Sequence, residues 1–108
     1  MREEVGQLPG AELVYQGLVD LSNGVLTAAA LLVACASSRL RRAGFSVATC
    51  SESEPRLMLY ALLAKDEPET AHSRFNALFR RLESFEHAVE AVNALHSEGQ
   101  RHPLGKLT

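Results

Sequence analysis

The chain has 108 residues, of which 46% are hydrophobic and 22% are charged, and its formal net charge is −2 at pH 7. This length and composition are those of one small soluble domain that can bury a core without disulfides or metals. Because the charge balance gives no basic field, we do not expect a protein that coats nucleic acid, and nucleic acid is not an expected partner.

The most apolar run in the chain does not have the length of a membrane span. It is VLTAAALLVACA at 25–36, about twelve residues, whereas a spanning helix needs roughly 20. The N-terminal MREEVGQLPG is acidic and lacks the apolar centre of a signal peptide. Cys35 lies within the apolar run and Cys50 in a polar connector, so they do not form a disulfide framework. We expect a cytoplasmic protein with reduced thiols and no membrane association.

Helical spacing of apolar residues dominates the chain, beginning with a predicted first helix at 11–21. Pro9 and Gly10 precede this helix. Elsewhere in the chain, no segment shows the sustained apolar–polar alternation of a strand. Gly17 lies mid-helix, which costs up to about 1 kcal/mol relative to alanine. A close approach of another helix would explain this glycine, although simple tolerance explains it equally well. The apolar stripe consists of Val14, Leu18 and Leu21, widened by Leu13 and Tyr15.

A second helix is predicted over 28–43, with Thr27 as its N-cap and Gly44 as the residue that stops it. Its first half, 28–36, is apolar on every side, so we expect other elements to enclose it. Its last turns carry cations that complement the helix dipole. These are Arg39, Arg41 and Arg42.

After a connector at 45–54, a third helix should begin at Pro55, with Ser53 or Glu54 at its cap. Its sequence LMLYALL, residues 57–63, is again apolar almost all round. An acidic cluster at 66–69 that contains a proline both ends this helix and starts the next one. The third helix therefore also needs cover from more than one direction.

The last helix is predicted over 68–97, with Gly99 as its stop, so it is about 30 residues long. The tail at 99–108 is polar and broken by proline and glycine, and we expect it to be flexible, leaving 1–98 as the single domain. Heptad positions a and d of this helix are apolar throughout, and Phe79 widens the stripe. The a and d residues are Ala71, Phe75, Leu78, Leu82, Phe85, Val89 and Val92.

Together these elements predict an all-α fold, a four-helix bundle of the up-down type with a long C-terminal helix. The long stripe and the two all-round apolar helices exceed what one short bundle can cover, so we expect a homodimer to complete it. The alternative is that the last helix bends or packs along its whole length within one chain. The expected interface residues are Phe75, Leu78, Phe79, Leu82, Phe85, Val89 and Val92.

One short segment resembles the HEPN domains, all-α modules that include ribonucleases and nucleotide-binding proteins. Their pattern is an arginine, four to six residues and a histidine, and here Arg81 and His87 flank LESFE. The resemblance covers these seven positions and implies that the two residues act on RNA or a nucleotide. This chain has Leu82 where the family usually has a polar residue. On a regular helix Arg81 and His87 also point about 120° apart, whereas Arg80 shares a face with His87.

Other chemistry has little basis in the sequence. The four histidines form no i, i+4 pair, and no HExxH motif, GxSxG motif or glycine-rich phosphate loop occurs. We therefore expect no metal and no cofactor. The arginines of the second and last helices could form an anion site if those segments adjoin, although the acidic clusters could equally neutralise them. The candidate anion-binding residues are Arg39, Arg42, Arg74 and Arg81.

The function predicted from these observations is an accessory or protein-interaction role for a small homodimeric helical protein without a catalytic site. The alternative is a HEPN-like domain directed at RNA or a nucleotide through Arg81 and His87.

Overall fold

A computed structural model describes the backbone of residues 7–105 and the side chains of residues 7–95. Within that part of the chain the fold is all-helical, without strands, which confirms the predicted class. The helices are α1 (Ala11–Ser22), α2 (Ala28–Cys35), α3 (Ser37–Arg42), α4 (Pro55–Asp66) and α5 (Ala71–Gly105).

The first helix approaches other helices closely at two glycines. Gly10, which precedes α1, has a φ of 79°, and a Cβ there would lie 2.7 Å from the backbone oxygen of Arg81 on α5. Within α1, a Cβ on Gly17 would overlap the backbone of Ala29 and the side chain of Val33. Gly17 is therefore the point of closest approach of α1 and α2, and the first of its two sequence interpretations is the correct one.

The second helix is the centre of the fold, since α2 contacts each of the other four helices. The predicted N-cap is confirmed: the Thr27 hydroxyl accepts a hydrogen bond from the Ala30 backbone N–H and donates one to Asp20. Five successive residues of α2, Ala30 to Ala34, are buried. The expected enclosure of this segment is therefore provided within one chain.

The helix predicted over 28–43 is in fact two helices, because the chain turns at Ala36. This residue has φ −107° and ψ 16°, and its N–H bonds the Val33 carbonyl, three residues back. After the turn, Leu40 is buried in the core. Gly44 ends α3 as predicted, with φ 104°. The N–H groups of Gly44 and Phe45 bond the carbonyls of Arg41 and Leu40, which is the Schellman arrangement.

The last helix differs from its predicted bounds at both ends. It begins at Ala71, because residues 67–70 form a turn in which Thr70 donates a hydrogen bond to the Glu67 carboxylate. It continues past the predicted stop at Gly99 as far as Gly105. Residues 106–108 of the predicted flexible tail lie outside the described residues, so the division at 98 stays a prediction.

The core contains residues from every helix and from the connector after α3, and none of the described polar or charged residues is fully buried. At about 1.5 Å per residue, α5 alone accounts for most of the longest dimension, since the molecule measures 56 × 25 × 21 Å. The most deeply buried large side chains are Phe85, Leu31, Leu32, Leu40, Leu59 and Leu82.

Candidate protein-interaction surface

The fourth helix lies at the edge of the fold. Pro55 occupies its first turn, where a missing N–H costs nothing. Its buried residues are Leu59 and Leu63, which are 0% and 3% exposed. They lie four positions apart and so form one inward stripe, along which α4 packs on α2 and α5.

Large apolar side chains on the opposite side of α4 face water. Leu57 is 65% exposed, Met58 39% and Leu62 38%, and Ala61 is exposed beside them. These four residues have the i, i+1, i+4, i+5 spacing that places them on one helix face, here called the outer α4 face. Single exposed apolar residues are common on proteins, whereas large contiguous sets are typical of interaction surfaces.

Charges lie at the two ends of the outer α4 face. Glu54, the N-cap residue, is exposed and its side chain makes no capping hydrogen bond. Lys65, in the last turn, is exposed as well. Glu54 and Lys65 each lie three or four positions from an apolar residue of the face. Along the helix, the apolar residues are therefore preceded by an acidic side chain and followed by a basic one.

The flank of α4 that faces the first half of α5 is covered by aromatic contacts. The Arg56 guanidinium lies 4.5 Å from the ring centre of Phe79 and 5.3 Å from that of Phe75. Tyr60 meets Phe75 edge-on at 5.3 Å, and the two phenylalanines are 4.9 Å apart. Phe75 and Phe79, both expected at a dimer interface, therefore contact α4 of their own chain.

Three further residues of the expected interface are buried within the chain. Leu82 and Phe85 are 0% exposed and Val89 is 2% exposed, so these side chains have no surface left to offer a second copy. Phe85 packs against Tyr15 of α1 and Phe45 of the connector. The two other expected residues, Leu78 and Val92, are half-buried.

Two of the four candidate anion-binding arginines are paired with carboxylates. Arg39 donates two hydrogen bonds to Glu86, of 2.9 and 3.1 Å, and this pairing raises the pKa of Arg39. Arg74 contacts Asp66 at 3.0 Å. Since Arg74 lies twelve residues before Glu86 on α5, the two pairs are about 18 Å apart along the helix. The structure does not bring these two arginines together.

The other two candidate arginines lie in separate places. Arg42 lines a groove of about 420 Å³ between α3 and α5, whose apolar wall includes Leu40, Phe45 and Phe85. Arg81 is exposed and lies beside Glu12 at the start of α1. The four arginines thus do not form one anion site.

The HEPN-like pair is not assembled into a pocket either. Arg81 and His87 are both exposed. Arg81 borders two shallow depressions next to α1, and His87 lines neither of them. It is also absent from the walls of the α3–α5 groove.

The described part of the chain contains no arrangement of side chains that supports a metal site or a reactive-thiol site. No group of three or more His, Cys, Asp or Glu residues is placed to hold a metal ion there. Both cysteines are free and half-buried. Burial raises the pKa of the Cys35 thiol, against the opposing effect of the nearby Arg56 and Arg39.

No protein-family model, curated protein or solved structure matches this chain. Among the described residues, no helix combines the length and the apolar character needed to cross a membrane.

The outer α4 face was only partly predictable from the sequence. LMLYALL is apolar almost all round, and this predicted a surface in need of cover. Periodicity cannot show which side the rest of the chain covers, and the longer stripe of the last helix was the stronger pattern.

Proposed function

We propose that this chain is a small cytoplasmic accessory protein that binds an apolar helix of a partner polypeptide through the outer α4 face and has no catalytic site of its own. The observation that supports the proposal is the exposure of Leu57, Met58 and Leu62 on one side of a single helix. The homodimer expected from the sequence is retained as a proposal, with α4 in place of the last helix.

Leu57 contributes little to the packing of the chain, since 65% of it is exposed. Leu59 and Leu63 provide the buried contacts of α4, and a polar residue at 57 would leave those contacts in place. Burial of apolar surface is worth about 25 cal/mol per Å², and a partner is what would supply that burial here. The composition of the face thus suits binding rather than stability.

The RNA-directed alternative has less support. Catalysis by an arginine and a histidine requires both to reach one reacting group, and Arg81 and His87 point about 120° apart on a continuous helix. The α3–α5 groove is a weaker ligand site than its size suggests, because Arg39 and Glu86 on its wall already bind each other.

Site-specific photocrosslinking tests the proposal. A photoreactive residue replaces Ala61 on the outer α4 face or, as the matched control, His87 on the exposed side of α5, in cells that produce the full chain. We expect a discrete crosslinked species from position 61 that disappears when Met58→Asp is added, and none from position 87.

A chain that crosslinks equally from both positions, or from neither, contradicts the proposed role. The RNA-directed alternative is checked in parallel with purified protein and a labelled single-stranded RNA. Cleavage that is lost in both Arg81→Ala and His87→Ala, and retained in Met58→Asp, would replace the proposal with that alternative.

A further inference from the structure

We infer that the partner on the outer α4 face is a second copy of this chain, paired antiparallel about a two-fold axis at the middle of α4. The inference rests on the proposed function, since it names the partner of the same surface. It differs from the dimer expected from the sequence in its location, because Leu82, Phe85 and Val89 of α5 are buried in the core of their own chain.

The apolar residues of the face are arranged symmetrically. Their midpoint falls between positions 59 and 60, with Met58 and Ala61 close to it and Leu57 and Leu62 further out. A two-fold axis through this midpoint sets Leu57 against Leu62 of the partner subunit and Met58 against Ala61 of the partner subunit. A long side chain then meets a small one at the centre, as ridge-into-groove helix packing requires.

The charges at the ends obey the same symmetry. Glu54 and Lys65 lie equally far from the midpoint, and helical spacing places both positions in line with the apolar residues. In the antiparallel pair, Glu54 of each copy lies opposite Lys65 of the partner subunit, so two opposite-charge contacts form. A parallel pair would instead set like charges side by side at both ends, which is unfavourable.

A helix also favours an acidic residue at its N-terminus and a basic one at its C-terminus within a single chain. That preference accounts for the sign of each charge. It does not account for both charges lying on the outer side of α4, in line with the exposed leucines and methionine, and the dimer does.

The size of the contact sets its strength. At about 1.5 Å per residue the twelve residues of α4 give a patch about 18 Å long and one helix wide. Such a patch falls below the roughly 1,200 Å² of total buried surface typical of stable complexes. The dimer should therefore be reversible, with a dissociation constant on the order of 10 to 500 μM.

Sedimentation equilibrium of the purified full chain, over about 5 to 500 μM at low salt, measures this association. We expect Leu57→Asp to raise the dissociation constant at least about tenfold, because each dimer then buries two carboxylates in apolar surroundings. Val25→Asp is the matched control. Val25 is 50% exposed but lies outside α4, and its replacement should change the constant by less than about twofold.

A charge exchange tests the antiparallel register. Glu54→Lys and Lys65→Glu should each weaken the dimer about threefold or more, since each substitution acts twice in a symmetric pair. The double variant E54K/K65E should return to within about twofold of the native constant. Glu83→Lys on α5, an exposed residue, controls for net charge. If the double variant is weaker than either single one, the proposed register is wrong.

The outcomes separate this inference from the function on which it rests. A purified chain that stays monomeric over the whole range overturns the dimer. If position 61 nevertheless crosslinks in cells to a species that is not twice the chain's mass, the proposed function stands with a different partner. If position 61 yields no crosslink as well, both are overturned.

Discussion

Two helices of this chain are apolar almost all round in sequence, and the fold treats them in opposite ways. Five successive residues of α2 are buried, whereas α4 buries only Leu59 and Leu63. The cause is position: α2 lies between the other four helices, while α4 packs mainly on α2 and α5. A helix that is apolar on all sides therefore predicts that its surface will be buried, but the burying contacts can come from its own chain or from another molecule.

The largest expected effect on the free energy of unfolding comes from the same leucine-to-alanine substitution made in α2 and, for comparison, in α4. Leu31 of α2 is 0% exposed, so Leu31→Ala should lower the free energy of unfolding by about 2 to 5 kcal/mol, through lost burial and a cavity. Leu57 of α4 is 65% exposed, and Leu57→Ala should change the free energy of unfolding by about 0.5 kcal/mol or less. Urea denaturation at low protein concentration measures both. Equal losses would mean that α4 is as enclosed as α2.

A smaller loss of stability is expected from adding side-chain volume on α1, where it packs closely against α2, than from the core truncation, and almost none from adding it on α4. Gly17→Ala places a methyl group against Ala29 and Val33 of α2, and we expect a loss of about 1 to 3 kcal/mol from overpacking. Ala61→Leu on the exposed side of α4 adds more volume and should cost about 0.5 kcal/mol or less. Thermal unfolding of the two variants checks this. A tolerated Gly17→Ala would show that the α1–α2 crossing can separate without cost.

The smallest effect compares how the two helices begin. Thr27→Ala removes the cap of α2 and the hydrogen bond to Asp20, which should cost about 1 kcal/mol. The Glu54 side chain makes no capping bond to α4, so Glu54→Ala should leave the stability of the monomer within about 0.5 kcal/mol. Denaturation curves at low concentration measure both variants. A larger loss for Glu54→Ala would indicate a capping role in solution.

Local signals in the sequence predicted the elements that local chemistry controls. Thr27 and Gly44 marked helix ends correctly, because capping and left-handed termination depend on a few neighbouring residues. The break at Ala36 carries no glycine or proline, so nothing in the local sequence marks it. It arises from packing, which buries Leu40 on the next turn. Gly99 did not stop α5, since glycine is permitted within helices at a modest cost.

The candidate site was harder to predict, because its contacts are distant in sequence. The heptad stripe of the last helix predicted Leu82, Phe85 and Val89 at a dimer interface, and these side chains are buried within one chain, because a stripe does not specify whether its cover comes from the same chain. Arg39 and Glu86, 47 positions apart, form an ion pair that no local pattern indicates. Only the assembled bundle shows which side of α4 remains uncovered.

The position of Arg56 has a consequence for the limits of association. By lying across Phe75 and Phe79, its guanidinium covers part of two aromatic rings of α5 beside the exposed Tyr60 of α4. Without the guanidinium, these two rings would add to the exposed apolar area of α4 and widen it. A single cation–aromatic contact thereby limits the apolar area that is open to the proposed association.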